Sequence, residues 1–240
     1  MRFAPLLQKK SSSAVYLALA IQVIATTALV IFEQVRGRRL AREISALGGD
    51  PHSPGAQAVV GAVTVFAVLI MFVAAATIAA AAAYLTWLIR AWRNVSPFAS
   101  PTSAVLAGWF VPVVNLVVPP VLTHRLWQAS HPPADRHGRW PALLGAWWLS
   151  WLAVLALIPV RLPLDTAPGN ADLTGLGPVE LAAIAISALL CAATVREITE
   201  IQAAGSRRLA RFPAGQTTPE IVSQVLAGPI PSQQARSAER

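Results

Sequence analysis

Charge is absent from the places where a soluble fold would carry it. Charged residues make up 12% of the chain, against about 25% in an ordinary soluble domain. The runs 14–32, 57–89, 140–160 and 181–195 contain no Asp, Glu, Lys or Arg. Charges inside membrane spans usually mark ion paths and proton relays, and these runs offer none. Cysteine is nearly absent too. Cys191 stands alone, so neither an intrachain disulfide nor a cysteine-based zinc site can form. In ISALLCAATV it reads as a buried, inert thiol. His52, His124, His131 and His137 lack metal-ligand spacing with carboxylates; His131 and His137 merely flank Asp135 in a Pro-rich loop. There is no serine nucleophile elbow, no Gly-rich phosphate loop and no pair of acids near an apolar run. The chain therefore reads as non-enzymatic, with no cofactor and no metal.

What is present is apolar. Hydrophobic residues are 55% of the chain and the mean hydropathy is +0.55, the composition of a polytopic membrane protein. The net charge of +8 sits at the ends of the apolar runs. That placement suits membrane orientation and anionic headgroups rather than nucleic acid. The preference for Arg over Lys and the abundance of Ala point to a GC-rich bacterial source, hence to the bacterial plasma membrane.

The fold class is all-α: a polytopic membrane helix bundle of about four transmembrane helices plus a Pro-broken re-entrant or interfacial segment. Residues 1–13 form a basic lead, 14–204 the membrane domain and 205–240 a mostly disordered cytoplasmic tail. Helices are expected at about 14–35, 57–94, 140–160 and 178–204. Ala14 to Phe32 is 19 residues, about 28 Å as a helix and close to the hydrocarbon thickness of about 30 Å. It lacks a following small-x-small site, so it reads as a retained helix. In the first loop, Leu40, Ile44 and Leu47 recur at helical spacing and predict a short interfacial helix; 48–51 then predict a turn. The stretch AAATIAAAAAY predicts a face that meets another helix closely. Trp147, Trp148 and Trp151 are expected against the broken segment. Pro178 and Glu180 open the last helix, and Gly205 is expected to cap it. The halves show no internal repeat, which argues against an inverted-repeat transporter.

The broken segment, 103–130, organises the rest. It is apolar but interrupted by Pro112, Asn115, Pro119 and Pro120. Backbone groups freed by proline are tolerated at membrane depth only under protein cover or beside water. Two topologies fit the charges. With four spans the segment returns to its own side; with five, 104–123 crosses fully. The first is preferred, with a helix before Pro112, a break near Asn115 and a helix from Pro120 to Ser130. It places the basic lead, Arg90, Arg93, Arg125, Arg136, Arg139 and the tail in the cytoplasm, with both termini.

A candidate pocket for an anionic lipid headgroup, or for another membrane protein, is formed by Trp87, Arg90, Arg93, Asn94, Trp109, Asn115, Arg125 and Trp127. Trp87, Arg90 and Asn94 fall at i, i+3 and i+7, so one helix face would present all three. Arg forks suit phosphate and Trp suits headgroup depth. The plainer reading of these residues is membrane anchoring. Asn115 is expected to serve the carbonyls freed by Pro119 and Pro120; alternatively it lines a polar cavity. WLIRAWRN, GWFVPVVNLVVPP and RLWQAS, in that order, resemble a bacterial membrane family known as domain of unknown function 4328, over about residues 14–200. The resemblance implies about four membrane helices around a Trp/Pro/Asn segment and implies no activity. The function expected is a non-catalytic scaffold, sensor or partner- or lipid-binding module; the alternative is a small transporter or channel subunit with its site near the broken segment.

Overall fold

The architecture comes from a computed structural model that describes residues 4–47, 56–96, 105, 108–109, 111–161 and 174–211. The chain divides into two units, 1–205 and 206–240. Of the second, only the end of a helix falls among the described residues. The tail beyond 211 and the turn at 48–51 lie outside them.

Every described element is helical: α1 Ala4–Phe32, a π-helical turn Glu33–Gly37, α2 Arg38–Leu47, α3 Ala56–Val95, α4 Pro112–Asn115, α5 Val118–Ala129, a 3-10 turn Ala134–Arg136, α6 Trp140–Arg161 and α7 Pro178–Arg211. Four helices are long and apolar enough to cross a membrane: Lys10–Gly37, Ala56–Val95, Trp140–Leu157 and Pro178–Arg207. This is a polytopic all-α bundle around a broken segment.

Two helix limits differ from expectation. The lead is helical from Ala4, not loose to residue 13. Pro5 sits in the first turn, where its missing N–H costs nothing, and Ser11 and Ser12 are buried. At the other end α7 runs through Gly205 to Arg211. A helical glycine costs about 1 kcal/mol relative to alanine, less than is needed to end a helix already continuing into SRRLAR.

α1 and α3 form an antiparallel pair. Gln22 donates to Thr77 Oγ1 at 3.4 Å, and Phe32 stacks on Phe66 with ring centroids 6.1 Å apart. The small-residue face expected on α3 is real but narrow. Ala76 and Ala80 are buried in line with Tyr84, Trp87, Leu88 and Ala91, while Ala74, Ala75, Ala79, Ala81 and Ala82 are exposed. At 40 residues, α3 is about 60 Å long, so it tilts or reaches beyond the hydrocarbon. In the amphipathic α2, Glu43 pairs with Arg39 of the same helix at 2.8 Å and with Arg36 of the π-helical turn at 3.2 Å.

α7 opens as its first residues predict. Pro178 occupies the first helical position, and Glu180 reaches back to accept the Gly177 N–H at 2.8 Å, half of a capping box. Just before it, Thr174 and Gly175 are held by Glu33 at the end of α1. The Glu33 carboxylate accepts the Thr174 N–H at 2.8 Å, the Gly175 N–H at 3.1 Å and the Thr174 hydroxyl. Glu33 is buried, and these donors replace the water it loses.

The broken segment enters and leaves the bundle at one end. Gln202 of α7 donates to the carbonyl of Ala91, near the end of α3, at 3.2 Å, and to Ser130 Oγ, just past α5, at 3.0 Å. Between those points the chain goes inward. Leu116 accepts a hydrogen bond from Trp148, eight residues into α6 and so about 12 Å from its first residue. The segment is bent at 116–117 between α4 and α5. The helix expected before Pro112 lies largely outside the described residues.

Candidate functional site: a charged groove above an aromatic core

The core beneath the site is built by tryptophan. Tyr84 lies against Trp87, Trp109 and Trp147, with centroids at 5.6, 5.4 and 5.9 Å. Trp109 meets Trp151 edge-on at 5.8 Å, and Trp148 stacks on Trp151 at 4.9 Å. The inner tryptophans of α6 therefore do pack on the broken segment. Nearer the end, Trp127 stacks on Trp140 at 4.9 Å and 2°, and the Trp140 indole donates to His124 Nδ1 at 3.0 Å. Cys191 is buried and free, as read from its neighbours.

Hydroxyl groups stitch the helices by one repeated device. Thr123, Ser130 and Thr199 each donate to the carbonyl four residues back, at 2.9, 2.8 and 2.7 Å. Each hydroxyl oxygen then accepts from another helix: Tyr84 O–H at 3.4 Å, Gln202 Nε2 at 3.0 Å and Trp87 Nε1 at 3.2 Å. A polar atom in an apolar interior is costly without a partner, and this arrangement satisfies both without an exposed group.

Between the start of α6 and the middle of α7, where the apolar run of α7 stops at Val195, an open groove of about 460 Å³ is walled by Arg136, Arg139, Trp140, Leu143, Ala193, Arg196, Glu197 and Glu200. Arg136 pairs with Glu197 at 2.9 Å and Glu200 at 3.5 Å; Arg196 pairs with Glu200 at 2.7 Å. The hydrogen bond to Glu197 holds the Arg136 guanidinium above its ordinary pKa, against the opposing effect of burial. Arg139 is exposed and joins no ion pair among the described residues. The arrangement can hold an anion between guanidinium groups over an apolar floor. Among the described residues, no group of three or more His, Cys, Asp or Glu is placed to hold a metal ion.

The residues singled out from the sequence do not meet in that groove. Trp87 and Trp127 are buried in the core, whereas Arg90, Arg93, Asn94 and Arg125 are exposed. The i, i+3, i+7 face is thus split: Trp87 turns inward, because an indole gains more from burial than a guanidinium can. For the same reason Trp87 and Trp127 are not interfacial belt residues. Trp109 and Asn115 lie at the break, and Trp109 Nε1 and Asn115 Oδ1 are buried with no hydrogen-bond partner among the described residues. The carbonyl freed at Leu116 is taken by Trp148 at 3.2 Å, not by Asn115. Sequence reasoning missed Arg136, Arg139, Arg196, Glu197 and Glu200 as a group. The only local signals were Arg196 and Glu200 at i, i+4 and the Glu197–Glu200 pair just past the apolar run of α7.

Four apolar spans around a proline-broken segment define a multi-pass helical membrane protein. The chain belongs to the family described as domain of unknown function (DUF4328), whose model matches residues 50–200. The match starts between the last residue of α2 and the first of α3, so α1 and α2 lie outside it. No curated protein and no solved structure matches the chain.

Proposed function

We propose that this protein is a non-catalytic binding module of the bacterial plasma membrane, with both termini in the cytoplasm, that holds a ligand or partner at the groove between α6 and α7. One observation carries the reading: the groove is walled by charged residues and open, while the bundle beneath it is filled by tryptophan. The orientation rests on the basic residues. Arg90, Arg93, Arg125, Arg136 and Arg139 belong to the end where the broken segment enters and leaves, and cytoplasmic ends carry the excess of Arg and Lys. A photoreactive phenylalanine analogue replacing Leu143, irradiated in living cells, is expected to give a discrete adduct. Labelling no different from the same analogue at exposed Leu17 of α1 sinks the reading.

A second reading, a small transporter or channel subunit, draws on the unpartnered Asn115 Oδ1 and Trp109 Nε1 at the break. Buried polar atoms of that kind are normally satisfied by protein or water. A solute or water flux in proteoliposomes that Asn115→Leu abolishes supports it; absence of any flux removes it.

A further inference from the structure

We infer that the groove between α6 and α7 binds the phosphate of an anionic phospholipid, with Arg139 and Arg196 as its ligands. The inference deepens the binding-module reading and rests on it. Three guanidinium groups and two carboxylates wall the groove, leaving one positive charge, which matches one phosphodiester. The carboxylates are already engaged: Glu197 by Arg136, and Glu200 by Arg136 and Arg196. Among the described residues Arg196 engages Glu200 through Nε, and its side chain is 75% exposed. Arg139 joins no ion pair among the described residues and immediately precedes α6. The positive end of that 22-residue helix adds to the field an anion would meet there.

A lipid fits better than a soluble phosphate because an exposed apolar strip continues from the groove. Its floor is Leu143 and Ala193. On the α7 face beneath Ala193, four and seven residues earlier, Leu189 and Ile186 are exposed, and these positions lie one above the other on a helix. Acyl chains can follow that strip while the phosphate stays with the guanidinium groups at the end of the spans. Arg rather than Lys suits the role because its planar fork takes two phosphate oxygens together.

The test uses the full chain in detergent, with native mass spectrometry after addition of phosphatidylglycerol or phosphatidylcholine at equal concentration. Phosphatidylglycerol is expected to be retained about fivefold more, the worth of one surface arginine, and Arg139→Gln is expected to remove that preference. Arg139 is exposed and joins no ion pair among the described residues, so this variant keeps the fold; Arg93→Gln, at an exposed arginine of α3 outside the groove, is expected to keep the preference. Equal retention of the two lipids, or an equal loss in Arg93→Gln, overturns the assignment. Displacement of phosphatidylglycerol by millimolar glycerol phosphate also overturns it, because the occupant is then a soluble ester. A discrete photo-adduct at Leu143 without any lipid preference leaves the binding module standing and removes only the lipid.

Discussion

The Trp148 indole donates to the carbonyl of Leu116 at 3.2 Å. Pro120 has no N–H to offer the carbonyl four residues before it, and the indole from α6 takes that place. A side chain from one span thus completes the backbone of another segment, which is how a proline break survives away from water. Trp148→Phe keeps the ring between Trp147 and Trp151 and deletes the donor. A part-buried hydrogen bond of this kind contributes about 0.5–1.5 kcal/mol, and a chain of this size loses about 2–4 °C of Tm per kcal/mol. Thermal scans in detergent should show that loss in Trp148→Phe and a smaller one in Trp151→Phe; equal losses contradict the account.

Gly108 is a contact residue. A Cβ there would stand 2.6 Å from Val118 Cγ1. Valine has little χ1 freedom with which to move aside, so Gly108→Ala must displace the first turn of α5. The expected cost is about 1–3 kcal/mol. Adding Val118→Ala should recover part of it, a coupling that a double-mutant cycle measures. Simple additivity would show that the two residues do not touch.

Glu33 ties the end of α1 to the chain before α7 through three donors. Glu33→Gln replaces one acceptor oxygen with an NH2 group that faces those donors. Hydrogen bonds to a charged group contribute about 1.5–3 kcal/mol each. Hydrogen exchange at Thr174 and Gly175 should therefore quicken by about tenfold or more, with exchange in the α5–α6 region unchanged. Unchanged protection at 174–175 would mean that the backbone is held by other contacts.

Arg136 should stabilise the fold independently of pH through the neutral range. Its pKa is raised by Glu197. A raised cation contributes fully below its unfolded pKa, and the contribution is lost only as pH climbs through the folded one. For arginine that lies above about 12. The Tm deficit of Arg136→Gln should hence be the same at about pH 7 and about pH 10. It should also be small, about 0–1 kcal/mol, because both partners are partly exposed. A deficit that vanishes by about pH 10 rules this pairing out as its source.

Membrane residence, the four spans and the break near Asn115 were all legible in the sequence, because lipid imposes simple demands. A span needs an uncharged run of fixed length, and a proline removes its donor wherever the chain goes. Glu180 as a helix opener and Cys191 as a buried thiol were legible for equally local reasons. The placement of Arg136 beside Glu197 and Glu200 was not, since those residues are 61 and 64 positions apart. Nor was the partner of Leu116, because Asn115 beside it and Trp148 on another helix are chemically equivalent claimants until packing chooses. Composition fixes which solvent each stretch tolerates. Which side chain reaches which orphaned carbonyl, and whether an arginine ends in a groove or on a bare face, depends on helix rotation, and only the assembled bundle sets that.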